Sequence, residues 1–181
     1  IKIIRTERIQ DGVERLIFSV GASAINAVQE IEGKILQIAE ILEVQPERVE
    51  KTVNNVVSEW RDLRREKEHL TDRLAAFLAE RYLSNAKKVS GVKLVSKIVN
   101  VDEADVDLLI KVSSEIVKRE KKSVTVLICV DKNARLVVNV GEEARKLGVD
   151  AREIAKGAGS ELGGGGSGKP DFAQGGGARI E

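Results

Sequence analysis

The residues best placed to do chemistry lie in one stretch near the end of the chain. It reads Gly163-Gly164-Gly165-Gly166-Ser167-Gly168-Lys169-Pro170-Asp171-Phe172-Ala173-Gln174-Gly175-Gly176-Gly177. Glycines let backbone N–H groups converge on an anion, or let two backbones approach closely. Lys169 sits inside the run, Lys156 precedes it and Arg179 follows it, with Arg152 a weaker fourth cation. Lys156, Gly163, Gly164, Gly165, Gly166, Lys169 and Arg179 are therefore the candidates for holding phosphate. Composition alone also fits a flexible tail. Against that stand the Lys-Pro-Asp-Phe-Ala-Gln insert and Phe172, an odd residue for a linker. The run is not a Walker loop, because Pro170 follows Lys169 where a helix should begin with Ser or Thr.

The remaining sequence is poor in catalytic groups. It has one His, His69, and one Cys, Cys129, in 181 residues. That excludes a His-based catalytic pair, a multi-His metal site, a thiolate cage and a disulfide framework. No catalytic residue and no metal ligand is assigned. The net charge is +1 with 30 basic and 29 acidic residues, so the chain is no bulk polycation, though a local basic patch remains open. Aromatics are 3%, too few for a single-strand stacking platform. No apolar run is long enough to span a membrane, and no signal peptide is visible. The absence of Met and the start at Ile1 suggest a piece of a longer protein. The abundance of Glu, Lys, Arg, Val and Ile leans toward a thermophile.

Several elements must position these groups. Residues 1–20 read as a hairpin about Asp11-Gly12, and a lone hairpin is marginal in water. Residues 22–43 read as a helix, with Ala24, Val28, Ile31, Ile35, Ile38 and Leu42 in a 4,3 rhythm. Pro46 opens a second helix over about 46–88. Its Val49, Val53, Val56, Trp60, Leu63, Leu70, Leu74 and Phe77 form a heptad seam that Lys67 and Arg81 interrupt. The shorter helix, folded back, would cover the near seam, with Trp60 packed against it. The far seam, Leu63, Leu70, Leu74, Phe77 and Leu78, needs another partner, either the next domain or a second copy.

Beyond residue 90 a small α/β unit is expected. It has a strand at 92–99, a helix at 102–119, an apolar strand at 123–130, a strand at 135–140, and short helices near 142–147 and 151–158. The runs Lys87-Lys88 and Lys118-Arg119-Glu120-Lys121-Lys122 read as helix ends, where cations suit the dipole. His69 reads as a surface or interface residue and Cys129 as core.

The glycine stretch resembles the C-terminal signature of alanyl-tRNA synthetases, with Ser167 as one departure. Glu7-Arg8-Ile9-Gln10-Asp11-Gly12-Val13-Glu14-Arg15-Leu16-Ile17-Phe18 resembles the last hairpin of that family's editing domain. The two motifs stand at the appropriate ends, and the likeness covers the whole chain in order. The resemblance implies a non-catalytic module that follows the editing domain. Such a module promotes homodimerisation and contacts the outer corner of alanine tRNA, supporting alanylation and editing. It implies no cofactor here; ATP, Mg and Zn belong to the parent enzyme, an alanine–tRNA ligase, whose zinc ligands lie upstream. It also implies a cytoplasmic RNA partner, not DNA or membrane. The glycine-rich module is shared with DHH-type phosphoesterases, where it binds substrate.

The expected fold is α+β: a helical hairpin with one long coiled-coil-like helix, then a small α/β globular domain with a glycine-rich loop. The expected divisions are 1–20, a remnant hairpin; 21–89, a helical subdomain; and 90–181, a globular subdomain. The alternatives are a DHH-related substrate-binding module and a generic coiled-coil scaffold.

Overall fold

The computed structural model describes residues 1–100, 102 and 105–180. Positions 101, 103 and 104, inside or beside the helix expected from 102, lie outside the described residues, as does 181. The chain divides into two compact units, 1–65 and 66–181.

The first unit begins with β1 (Lys2–Gln10) and β2 (Val13–Ser19), an antiparallel pair. Gly12 turns the hairpin with φ at +77°, a conformation that costs a Cβ-bearing residue energy. Helix α1 (Ala22–Ile41) follows, with the Ser23 hydroxyl donating to the Val20 carbonyl at its start. A single 3-10 turn, Pro46–Arg48, then leads into helix α2 (Val49–Ser84). Proline suits that first turn, where its missing N–H has no partner to lose.

The expected closure of the near seam is not found. Val53 is 39% exposed, Val56 48% and Trp60 57%. Trp60 instead lies beneath the Arg64 guanidinium, 5.5 Å from its ring centroid, one turn along the same helix.

The second unit is a mixed sheet in the order β3-β4-β5-β6-β8-β7. Its strands are β3 (Lys87–Val89), β4 (Val92–Asn100), β5 (Ser123–Val130), β6 (Ala134–Val140), β7 (Gly165–Gly168) and β8 (Phe172–Gly177). Only β4 and β5 run parallel, joined by helix α3 (Val106–Arg119). Asp105 caps α3 by accepting from the Leu108 amide at 2.8 Å. Helices α4 (Glu142–Lys146) and α5 (Ala151–Glu161) serve the other sheet face.

Period-two alternation sorts the strands between two cores. Val95, Leu127, Cys129 and Val137 pack with Leu109, Val112 and Ile116 of α3. Val124, Leu136, Val138 and Ala173 pack with Ala144, Ala151 and Ala155 of α4 and α5. The second half of α2 joins the first core through Ala75 and Ala79, 3% and 0% exposed. Helix α2 ends at Ser84, short of the expected 88. There the Ser84 hydroxyl and the Asn85 side-chain amide both donate to the Arg81 carbonyl. Lys87 and Lys88 consequently fall in a strand, not at a helix end.

Candidate nucleic-acid interface and exposed helix face

The glycine stretch folds as a hairpin, with β7 and β8 antiparallel, and not as an open loop. Close backbone approach explains most of its glycines, and at Gly166 the neighbour is α5. A Cβ on Gly166 would stand 2.4 Å from the Ala155 carbonyl oxygen and 2.9 Å from the Ala155 Cβ. In the other direction, a Cβ on Gly159 of α5 would meet the Gly165 carbonyl oxygen at 2.4 Å. Gly164 and Gly177 are similarly hemmed in by backbone. Gly163 leaves α5 with φ at +73°. Gly165 differs, because a Cβ there would meet nothing within 4 Å. Thus Gly163, Gly164 and Gly166 serve turn and backbone packing, and Gly165 alone faces open space.

The three candidate cations mark α5 from end to end. Lys169 stands in the β7–β8 turn, where its amide donates to the Phe172 carbonyl at 2.7 Å. The adjacent Pro170 carbonyl accepts from the first α5 amide, Ala151, at 3.0 Å. Lys156 is on the exposed side of α5. Arg179 is at the other end, its amide donating to the Leu162 carbonyl and its guanidinium to the Glu161 carbonyl, at 2.9 and 3.3 Å. Eleven helical residues put these ends about 15 Å apart. Arg179 is thereby committed to the α5 C-terminus, where a cation offsets exposed carbonyls. Lys156 and Lys169 form no ion pair among the described residues. Arg152 donates to Asp150 through Nε and Nη2, which holds that carboxyl below its ordinary range.

Other cations also gather in this unit. Arg145 and Lys146 line a groove with Glu142, Asp150 and Pro170 beside the Lys169 turn. Lys146 pairs with Glu142, lowering that carboxyl's pKa. On the far sheet edge, the pairing of β3, β4 and β5 brings the 87–88 and 118–122 runs together. Helical or strand periodicity carries no sign that the two lysine runs meet, since that depends on strand order.

The long helix shows a second feature in its 66–84 part. Its Ala75 and Ala79 side docks on α3, and Lys111 of α3 ties to Asp72 there. That hydrogen bond raises the Lys111 pKa. Leu70, Leu74 and Phe77 are not on this side; they remain 52%, 43% and 63% exposed. Leu63, in the first unit, is 64% exposed. Leu78, next to Ala79 on the helix, is half-buried against the α3 core.

Other expectations find their places. Cys129 is buried, and burial pushes its thiol up. His69 is exposed. Among the described residues no group of three or more His, Cys, Asp or Glu could hold a metal ion. Among the described residues no helix is long and apolar enough to cross a membrane.

The DHHA1 domain family matches residues 91–181. Over 178 residues the chain is 39% identical to the alanine–tRNA ligase of Methanosarcina mazei, covering 98% of this chain and 19% of that protein. It is 39% identical over 175 residues to the alanine–tRNA ligase of Thermococcus kodakarensis, with 97% and 18% covered. The chain thus spans about a fifth of the length of the curated relatives it matches. The crystal structure of the C-Ala domain from Aquifex aeolicus alanyl-tRNA synthetase aligns with a TM-score of 0.49 and 27% identity, over 53% of this chain and 85% of that one. With the glycine hairpin, its supporting helix and strands β4 to β8 of their sheet inside the matched span, the chain belongs to the DHHA1 domain family, and along its full length it is similar to archaeal alanine–tRNA ligases.

Proposed function

We propose that the chain is a non-catalytic module of an alanine–tRNA ligase, which pairs two copies of the enzyme and helps grip the outer corner of alanine tRNA. The parent enzyme would join alanine to tRNA using ATP and Mg, with its zinc ligands upstream, in the cytoplasm. The similarity to alanine–tRNA ligases from end to end supports the assignment to that enzyme.

The observation that carries the pairing is the α2 helix. Its Ala75 and Ala79 side is occupied by α3, yet Leu70, Leu74 and Phe77 repeat at 4,3 spacing in solvent. An apolar stripe of that length is unfavourable in water and marks an interaction surface. A 4,3 stripe matches what a second helix would bury. Leu63 extends the same spacing toward the helix start, and Leu78 flanks it. Lys156 on α5 and Lys169 in the turn of the glycine hairpin are the RNA-facing candidates; they would act through phosphate and shape, not through base sequence.

Sedimentation velocity tests both halves. The chain should run as two copies and carry labelled alanine tRNA. Leu70→Asp with Leu74→Asp should give a folded monomer. A double variant that remains dimeric would reject this helix face. Lys156→Ala with Lys169→Ala should weaken tRNA binding and flatten its salt dependence.

A further inference from the structure

We propose a second phosphate-binding surface at the sheet edge opposite the glycine hairpin, built from Lys87, Lys88, Lys118 and Lys122. Its ligand would be the phosphodiester backbone of double-helical RNA. The identification of that RNA as tRNA rests on the function proposed above; the surface itself does not.

The two lysine runs are 30 residues apart in sequence and adjoin in space. Lys88 of β3 pairs directly with Lys93 of β4, and Lys93 pairs with Ser123 of β5. The Lys93 amide donates to the Lys122 carbonyl at 2.9 Å. Side chains of directly opposed strand residues lie about 5 Å apart, and like charges there repel. The Lys88–Lys93 pair is therefore unfavourable by itself, and Glu120 offsets it on the Lys93 side alone. Glu120 is the carboxylate at this corner, and it is already used. It pairs with Lys93 and also accepts from the Lys122 amide, which together hold its pKa below the ordinary value.

The neighbouring charges are likewise committed. Arg119 pairs with Glu115 and reaches toward Glu80. Glu142 is bound to Lys146 and lies in the field of Lys121. Lys87, Lys88, Lys118 and Lys122 are all exposed, and none forms an ion pair among the described residues. Four ammonium groups without ion pairs among the described residues thus flank one sheet edge, Lys88 on the face of Lys93 and Lys87 on the face of Leu94.

The backbone that leads from α3 into β5 is pinned. The Lys121 carbonyl accepts from the Glu143 amide at 3.0 Å, and a Cβ on Gly141 would stand 2.3 Å from that same oxygen. The Ser123 hydroxyl donates to the Glu120 carbonyl. A fixed set of cations is suited to the regular phosphate spacing of a duplex, which proteins read by shape and backbone. Across the six strands, the distance from β3 to β7 is about 24 Å. The two basic sites could therefore hold one RNA at separate points.

The test uses the full chain with Lys87, Lys88, Lys118 and Lys122 changed together to Ala, and a second variant with the same four changed to Arg. The probes are alanine tRNA and a 20-base-pair RNA duplex of unrelated sequence, titrated at several salt concentrations. The Ala variant should lose about tenfold or more in affinity for both probes, and its salt slope should fall by about 2 to 4. The Arg variant should retain binding.

If the Ala variant keeps the parent slope on both probes, the surface is refuted; lysines on β3 would then serve only to discourage edge-to-edge pairing. If that variant keeps tRNA while Lys156→Ala with Lys169→Ala loses it, the proposed function stands and this surface falls. If the parent chain binds the duplex and tRNA alike and the Ala variant loses both, the surface stands and a tRNA-specific role falls. If the parent chain binds neither probe, both readings fail.

Discussion

Changing Gly166 to Ala separates a packed glycine hairpin from a flexible glycine tail. In the structure the added Cβ would stand 2.4 Å from the Ala155 carbonyl oxygen, 2.5 Å from its carbon and 2.9 Å from the Ala155 Cβ. A normal contact begins near 3.4 Å, so β7 and α5 must separate by close to an ångström. None of the three atoms belongs to a flexible side chain, so rotation relieves nothing. Overpacking of this kind costs about 1–3 kcal/mol, and backbone neighbours place Gly166 at the upper end. For a unit of this size the loss corresponds to a fall in Tm of roughly 8–12 °C.

Gly165→Ala is the matched control. Its Cβ meets nothing within 4 Å, and the loss of glycine freedom in the unfolded chain should make it neutral or stabilising by up to about 1 kcal/mol. The two variants differ in position by one residue and in composition not at all. Thermal unfolding followed by circular dichroism, with amide exchange read at β8, gives both the size and the location of the effect. Equal melting of the two variants would show that α5 does not rest on β7, and the hairpin would have to be abandoned for a loose tail.

Two further outcomes follow from the core and from one ion pair. Ile116 is fully buried at the centre of the α3 core, so Ile116→Ala should cost about 2–5 kcal/mol in urea unfolding; a loss below 1 kcal/mol would mean that α3 is not the main cover of its sheet face. Glu120 has a lowered folded pKa, chiefly from its hydrogen bond to Lys93. The stability it contributes is therefore complete above its ordinary value of 4.5 and is lost as pH falls through the lower folded value. The urea midpoints of the parent chain and Glu120→Gln should differ at neutral pH and converge in acid; a difference that grows in acid would contradict the Lys93 pairing.

Residues with strong periodic signals were readable from sequence. Asp11-Gly12 marked its hairpin, Ser123–Val130 its buried strand, and the 4,3 rhythm both long helices. Other features were not. The docking face of α2 consists of Ala75 and Ala79, whose small side chains score weakly against the larger Leu70, Leu74 and Phe77. Strands β7 and β8 are mostly glycine and have no alternation to detect. What orders them is the fit of α5 against bare backbone, a relation between segments. The end of α2 at Ser84 depends on two side chains turning back to one carbonyl, and it moved Lys87 and Lys88 into a strand. For the candidate site, the types of Lys156, Lys169 and Arg179 were legible, but the use of Arg179 on the end of α5 required the fold. The meeting of the two lysine runs required the strand order.

That strand order also bears on synthesis. Strand β8 lies between β6 and β7, so β7 leaves the ribosome before the only strand it will pair with. An unpaired strand is ordinarily a template for other nascent chains. Gly165-Gly166-Ser167-Gly168 offers no apolar or β-branched side chain with which to recruit one, and glycine is scarce in segments that form stable intermolecular zippers. Meanwhile α5, already made, presents Ala155 as a seat for Gly166. The blandness that hides this strand from sequence inspection therefore lets it wait safely for its partner.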